Sequence, residues 1–193
     1  MTLRPKMAEP VPVIFFWGRG KYGWCSQWSS SPFVEENEEK EEEEGEEKKG
    51  YQNCEEYMMK KKAELFEDRA TLRKMNRTSD PKTLKRLGRQ VRGFKPKIWD
   101  QFKVEIVTQG NYLKFTQNPD LKAKLLATGE AYLVEASPFD RVWGIGYTAK
   151  DAMAHVSTWG ENKLGAALVA VRTRIRKEEE VAKVAAKGAA GAE

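Results

Sequence analysis

Three prolines constrain the fold of this chain more than any other feature. Pro81, Pro96 and Pro119 each stand at the head of a run with helical spacing. At such a position the missing N–H breaks no hydrogen bond and the fixed φ suits the first turn. Asp80 precedes Pro81 as an N-cap, and the helix it starts is expected to reach about Arg92. Pro96 opens a second helix through Ile98, Trp99, Phe102 and Ile106. Pro119 opens a short one, Leu121–Thr128, closed by Gly129. Upstream, Gln52–Asp68 is amphipathic. Downstream, Asn162–Lys183 reads as a final helix that frays into a flexible Ala/Gly tail over 184–193. Two runs read as strands, Val11–Trp17 and the alternating Ala131–Ala136. The expected fold is mainly α: a single multihelical domain over residues 11–183 with a few short strands. A chain of 193 residues can build one such core but not two comfortable ones.

The segments between these elements are unusual. Gly18–Phe33 is a loop rich in Gly, Ser and aromatics, and Ser137–Glu161 is a long loop containing Gly and Trp. Long loops in compact domains are usually functional. Val34–Gly50 is low-complexity and acidic, so it reads as a disordered insertion. Within it, residues 35–49 hold ten Glu and three Lys, a local charge of −7. The rest of the chain holds 31 Lys+Arg against 19 Asp+Glu, or +12. A folded part this basic suits a polyanionic partner, nucleic acid or a phosphate-bearing small molecule, or else simply a solvated surface.

Several classes are disfavoured. No run approaches the roughly 20 apolar residues of a membrane span. Val11–Trp17 lacks the cleavage pattern of a signal peptide. The expectation is a soluble, monomeric protein of the cytoplasm or nucleus. Cys25 and Cys54 have no metal spacing and read as free thiols. One histidine, His155, cannot build a His-based zinc site, so no metal is expected. Gly18-Arg19-Gly20 is not a dinucleotide-binding fingerprint, and no phosphate-binding loop motif appears, so no cofactor is expected either.

The informative helix is Gln52–Asp68. Glu55, Met58, Met59, Lys62, Leu65 and Phe66 fall at i, i+3, i+4, i+7, i+10 and i+11 and share one face. Glu56, Lys60, Lys61, Glu64 and Asp68 are expected to face water. A carboxylate and an ammonium therefore lie on the stripe that should be buried, about 10.5 Å apart along the axis. Charges held over a methionine floor suggest an active site. The alternative is that Glu55 only serves the helix dipole while Lys62 snorkels outward. Asp140 follows a strand in the Gly-rich stretch Ser137–Gly146, where it can stabilise positive charge, or serve only as a turn residue or ion-pair Arg141. Six tryptophans, Trp17, Trp24, Trp28, Trp99, Trp143 and Trp159, exceed what a core this size needs, and flat rings stack on bases. Lys114 reads as a surface or helix residue of small effect.

Several strings, in order, resemble the NADAR family (the YbiA-like N-glycosidases). They are Glu55-Glu56-Tyr57-Met58-Met59-Lys60-Lys61-Lys62-Ala63, Leu87-Gly88-Arg89-Gln90-Val91 with Trp99, and Lys114-Phe115 with Gln117-Asn118-Pro119 and Leu125-Leu126-x-Thr128-Gly129. Leu133-Val134-Glu135-Ala136 with Asp140-x-x-Trp143-Gly144, and Trp159-Gly160-x-Asn162-x-Leu164-Gly165, complete the set over roughly residues 14–176. The resemblance implies a mainly helical domain and hydrolysis of N-glycosidic bonds in nucleotide-like substrates. Two activities are known in the family: removal of ADP-ribose from modified guanine in nucleic acid, and cleavage of early riboflavin-biosynthesis intermediates. By resemblance Glu55, Lys62 and Asp140 are catalytic. Trp99, Trp143, Gly144 and Asn162 join the substrate site, and Arg19, Arg89 and Arg141 are candidates for phosphate contacts. The absence of a fused riboflavin-pathway domain leans toward ADP-ribosylated guanine. A silent NAD or ADP-ribose binder and a plain nucleic-acid-binding domain are the alternatives from other classes. Residue order leaves open whether Glu55 or Asp140 is the acid, and whether Lys62 acts by its charge or as a nucleophilic amine.

Overall fold

The chain is described by a computed structural model over residues 11–36 and 49–190. Its centre is α1 (Cys54–Leu65), whose sequence CEEYMMKKKAEL holds good helix formers and no β-branched residue. Asn53 caps it, accepting from the Glu56 N–H at 2.9 Å, while its own amide donates to the Ser79 carbonyl. Around α1 pack α2 (Arg69–Met75), α3 (Pro81–Gly88) and α4 (Pro96–Gln117). Next in the chain come α5 (Pro119–Leu126), α6 (Ala149–Ala152) and α7 (Lys163–Ala190), the last lying against α4 and α5. Strands β1 (Val13–Phe16) and β4 (Tyr132–Glu135) pair in parallel, Val13 opposite Tyr132 and Phe16 opposite Glu135. Strands β2 (Phe33–Glu35) and β3 (Lys49–Tyr51) form a separate antiparallel pair. One core joins these layers, with Phe16, Met58, Leu84, Val107, Leu133 and Leu168 among its members. The mainly helical single domain expected from the sequence is observed.

The proline-headed helices start where expected, and Asp80 accepts from the Thr83 N–H at 2.8 Å. Their ends differ. α3 stops at Gly88 rather than Arg92, because the Arg92 N–H and guanidinium are both drawn to Asp68, at 2.9 and 2.8 Å. α2 was not expected. Glu67 takes a positive φ of 54° after α1, and Asp68 then caps a new helix through the Thr71 N–H. Asp68, read as water-facing, is thus buried and doubly employed. The loop Ser137–Glu161 holds α6 and a 3-10 stretch, Met153–Thr158. The Ala/Gly tail remains helical to Ala190, as its alanines favour.

The largest correction concerns the far side of α1. Glu56 and Lys60 are buried and paired at 2.7 Å. The β2–β3 hairpin closes over this face and supplies their surroundings. Glu35 accepts from Tyr57 Oη at 2.7 Å and pairs with Lys61 at 2.6 Å, while Lys49 pairs with Glu64. Both ends of the stretch read as a disordered insertion over 34–50 are therefore strands. The remainder of that insertion, 37–48, lies outside the described residues.

Candidate active site

Glu55 sits in the first turn of α1, where the helix dipole favours a carboxylate. It is also only 4% exposed. The loop Gly18–Pro32 wraps this helix end. The Gln27 carbonyl accepts the Glu55 N–H at 3.0 Å, the Ser31 N–H donates to the Gln52 carbonyl, and the Trp28 side chain hydrogen-bonds the Glu55 carboxyl. Burial pushes this carboxyl up to about 7, although Lys85 of α3 and the Trp28 bond pull the other way; Asp140 adds to the rise.

Asp140 and a further carboxylate, Glu135, come from the opposite direction, at the carboxyl end of β4. Leu133 and Glu135 share one face of the strand, and Leu133 belongs to the main core. Burial pushes Glu135 up to about 7, Asp140 and Glu55 add to this, and Lys85 opposes it. Its Oε2 is buried with no hydrogen-bond partner among the described residues. Sequence reasoning missed Glu135. The available signal was a carboxylate on the core-facing register of an alternating strand. Asp140 accepts from the Val142 and Trp143 N–H groups, both at 2.8 Å, so it does hold its own turn. It does not pair with Arg141, whose guanidinium donates to the Thr158 carbonyl. Glu55 and Glu135 thus both feel the charges of Asp140 and Lys85, and Glu135 feels that of Glu55 as well. Among the described residues no group of three or more His, Cys, Asp or Glu is placed to hold a metal ion.

Lys62 occupies a second station farther along α1. Its Nζ donates to the Gly88 carbonyl at 2.8 Å and lies 4.0 Å from the Phe94 ring centroid and 5.5 Å from that of Trp99. It has not snorkelled free, and burial lowers its proton affinity. A Cβ on Gly88 would fall 2.1 Å from Met59 Sδ, so glycine is what lets α3 settle on the methionine and present its carbonyl to Lys62. The charges felt by Glu55 are those of Lys85 and Asp140 rather than that of Lys62.

Other expected site residues serve the scaffold or the rim. Asn162 spends its amide on β4, accepting from the Glu135 N–H and donating to the Leu133 carbonyl. A Cβ on Gly144 would meet the Glu135 carbonyl at 2.7 Å, and one on Gly165 the Leu133 carbonyl at 2.0 Å. These motif residues press the loop and the start of α7 onto β4, which fixes Glu135 and Asp140. Trp143 is half-buried against the core. Arg19, Arg89 and Arg141 are exposed.

Lys114 is the clearest departure from a surface role: it is fully buried. Its Nζ donates to the Trp24 and Ser26 carbonyls at 2.7 and 3.2 Å, and burial lowers its proton affinity. Gln117 bonds both backbone groups of Val34, and Asn118 reaches the Pro32 carbonyl. The end of α4 is thereby the anchor of the loop that brings Trp28 to Glu55. Cys25 and Cys54 are buried free thiols, pushed up by burial to about 12 and about 11.

Comparison with known proteins agrees with this architecture. A model of the NADAR domain matches residues 15–176. The chain is 49% identical over 124 residues to N-glycosidase R617 of Acanthamoeba polyphaga mimivirus, covering 63% of this chain and 73% of that protein. It is 32% identical over 117 residues to N-glycosidase YbiA of Escherichia coli (strain K12), covering 61% and 68%. The NMR structure of the E. coli protein YbiA matches with a TM-score of 0.67 at 26% identity, over 91% of this chain and 92% of that one.

Proposed function

This chain belongs to the NADAR domain family, and from that premise we propose that it is an N-glycosidase acting on ADP-ribosylated guanine in nucleic acid. The observation that carries the chemistry is the convergence of Glu55, Glu135 and Asp140, two of them buried carboxyls pushed to about 7, beside Lys85.

Hydrolysis breaks the bond between the anomeric carbon and the leaving nitrogen. Water supplies the new C–O bond, and its proton balances the nitrogen that departs. Positive charge develops at the anomeric carbon, and a fixed carboxylate stabilises it. Asp140 suits that task because two backbone N–H groups orient it. Glu55 and Glu135 suit proton transfer, since a carboxyl near 7 is present in both forms at neutral pH. Their charges interact, so the pair shares its titration rather than splitting it between two independent sites. Trp28 and Lys85 flank Glu55, and Lys62 with Trp99 forms the next station along α1. Lys62 acts there either through its charge or as an amine that condenses with the aldehyde of an opened ribose, releasing water. Arg19, Arg89 and Arg141 are the proposed phosphate contacts.

The charge of +12 outside residues 35–49 supports a nucleic-acid substrate. The deciding experiment incubates the protein with ADP-ribosyl-guanine DNA and, separately, with riboflavin-biosynthesis intermediates, and identifies products by mass. Release of unmodified guanine-containing DNA is expected. Turnover of the intermediates alone would redirect the substrate assignment, and turnover of neither would leave a binding module. Borohydride trapping on the same substrate reads out an imine at Lys62.

A further inference from the structure

The parallel strands β1 and β4 end side by side at Phe16 and Glu135. The chain leaving β1 continues at once into Trp17, and the chain leaving β4 reaches Phe139 one residue before Asp140. Their rings lie 6.2 Å apart between centroids, tilted by 56°. Trp17 is 48% exposed and Phe139 is 87% exposed. Large apolar groups left in water in a pair, beside a polar site, need a reason that core packing does not supply.

This exposure is not looseness. The turn beneath Phe139 is tied on both sides. Asp140 Oδ1 accepts two backbone N–H groups, and the Gly146 N–H donates to the Ser137 carbonyl at 3.0 Å. The phenyl ring is held out by a fixed backbone. Exposed cations follow each ring: Arg19 and Lys21 after Trp17, and Arg141 after Phe139. Asp140 is the one acid within residues 11–23 and 136–146, and one of its oxygens is already taken.

We infer that the Trp17–Phe139 pair is a stacking platform for a base of single-stranded nucleic acid passing the mouth of the site. The inference rests on the glycosidase reading for the purpose of that strand, though not for its binding. Two rings among cations fit a base with its phosphates, because every base offers a flat face and every linkage a charge. They are too small for a folded protein partner, whose contact covers roughly 800 Å² per side.

The test uses the full chain and needs no turnover. Fluorescence anisotropy measures binding of an unmodified single-stranded decanucleotide, with an abasic sugar-phosphate decamer as the charge-matched control. The unaltered protein should prefer the base-bearing strand. Trp17→Ala with Phe139→Ala should weaken that strand roughly ten- to a hundredfold and leave the abasic control within about twofold. Phe139→Ala alone, at so exposed a position, keeps the test valid if the double variant melts early. Equal affinity for the two decamers, or undiminished binding by the variants, overturns the inference. So does ring-dependent capture on anionic phospholipid vesicles without strand binding. Strand binding that depends on the rings in a protein that cleaves neither candidate glycoside would retain the platform and remove the glycosidase reading.

Discussion

At the scale of single residues, the proposed site rests on carboxyls placed where ionisation is unfavourable. Burial raises Glu55 and Glu135 from 4.5 to about 7. A group raised in the folded state contributes stability that is fully present below 4.5 and is lost as pH climbs through about 7. Glu55→Gln should therefore melt like the unaltered protein at pH 4 and above it at pH 8, while hydrolysis falls on the order of 10²–10⁴-fold. Melting and product release on one sample check this, and near-normal turnover would make Glu55 structural. Glu135→Gln should also slow hydrolysis and should reshape the pH–rate profile near neutrality, because one member of a shared titration is gone. An unchanged profile with an unchanged rate would exclude Glu135 from the proton transfers. Glu55 was legible in the sequence because helical spacing put it on the stripe with Met58 and Met59. Glu135 was not singled out, since the groups that act on it, Glu55, Lys85 and Asp140, all lie off its strand.

At the scale of elements, starts were easier to read than surroundings. Pro81, Pro96 and Pro119 act through their own backbone geometry, so local sequence suffices. Lys114 acts through carbonyls 88 and 90 positions away, and nothing in its neighbours announces burial. The same limit hid the second face of α1, whose Glu56–Lys60 pair looks solvated until β2 and β3 cover it. Lys114→Met tests the anchor. Two carbonyls would lose their donor, so unfolding in urea should show a loss of about 2–4 kcal/mol. The loop Gly18–Pro32 should also slacken, and hydrolysis should fall because Trp28 no longer reaches Glu55. A variant with full stability and full rate would show that the loop holds itself. Lys114→Arg is not a conservative control here, since a planar fork does not fit a pocket shaped for one ammonium.

At the scale of the whole molecule, the domain is organised around a helix with no solvent side in its first two turns, Cys54–Lys60. One face of α1 carries the proposed site, with Glu55 and Lys62, and the other carries the hairpin. Glu35 matters to that second face. Burial alone would raise its carboxyl, but Lys61 and the hydroxyls of Tyr57 and Tyr51 outweigh this and hold it below its ordinary range. Its stabilising effect is present above the ordinary carboxylate range and is lost as pH falls through its lowered value. Replacing residues 37–48 with a two-residue turn should preserve melting and hydrolysis at neutral pH, whereas Glu35→Ala in the full chain should lower the melting temperature. Loss of cooperative melting in the shortened chain would give the acidic stretch a structural role. The pairing of Glu35 with Lys49 has a genetic corollary. The two residues are cross-strand partners, so codons gained or lost between them leave the register of every described element unchanged. In general, each doubling of a flexible connection costs only about 0.6 kcal/mol in closure entropy. The gene can thus drift in length at this point while both strands keep their partners.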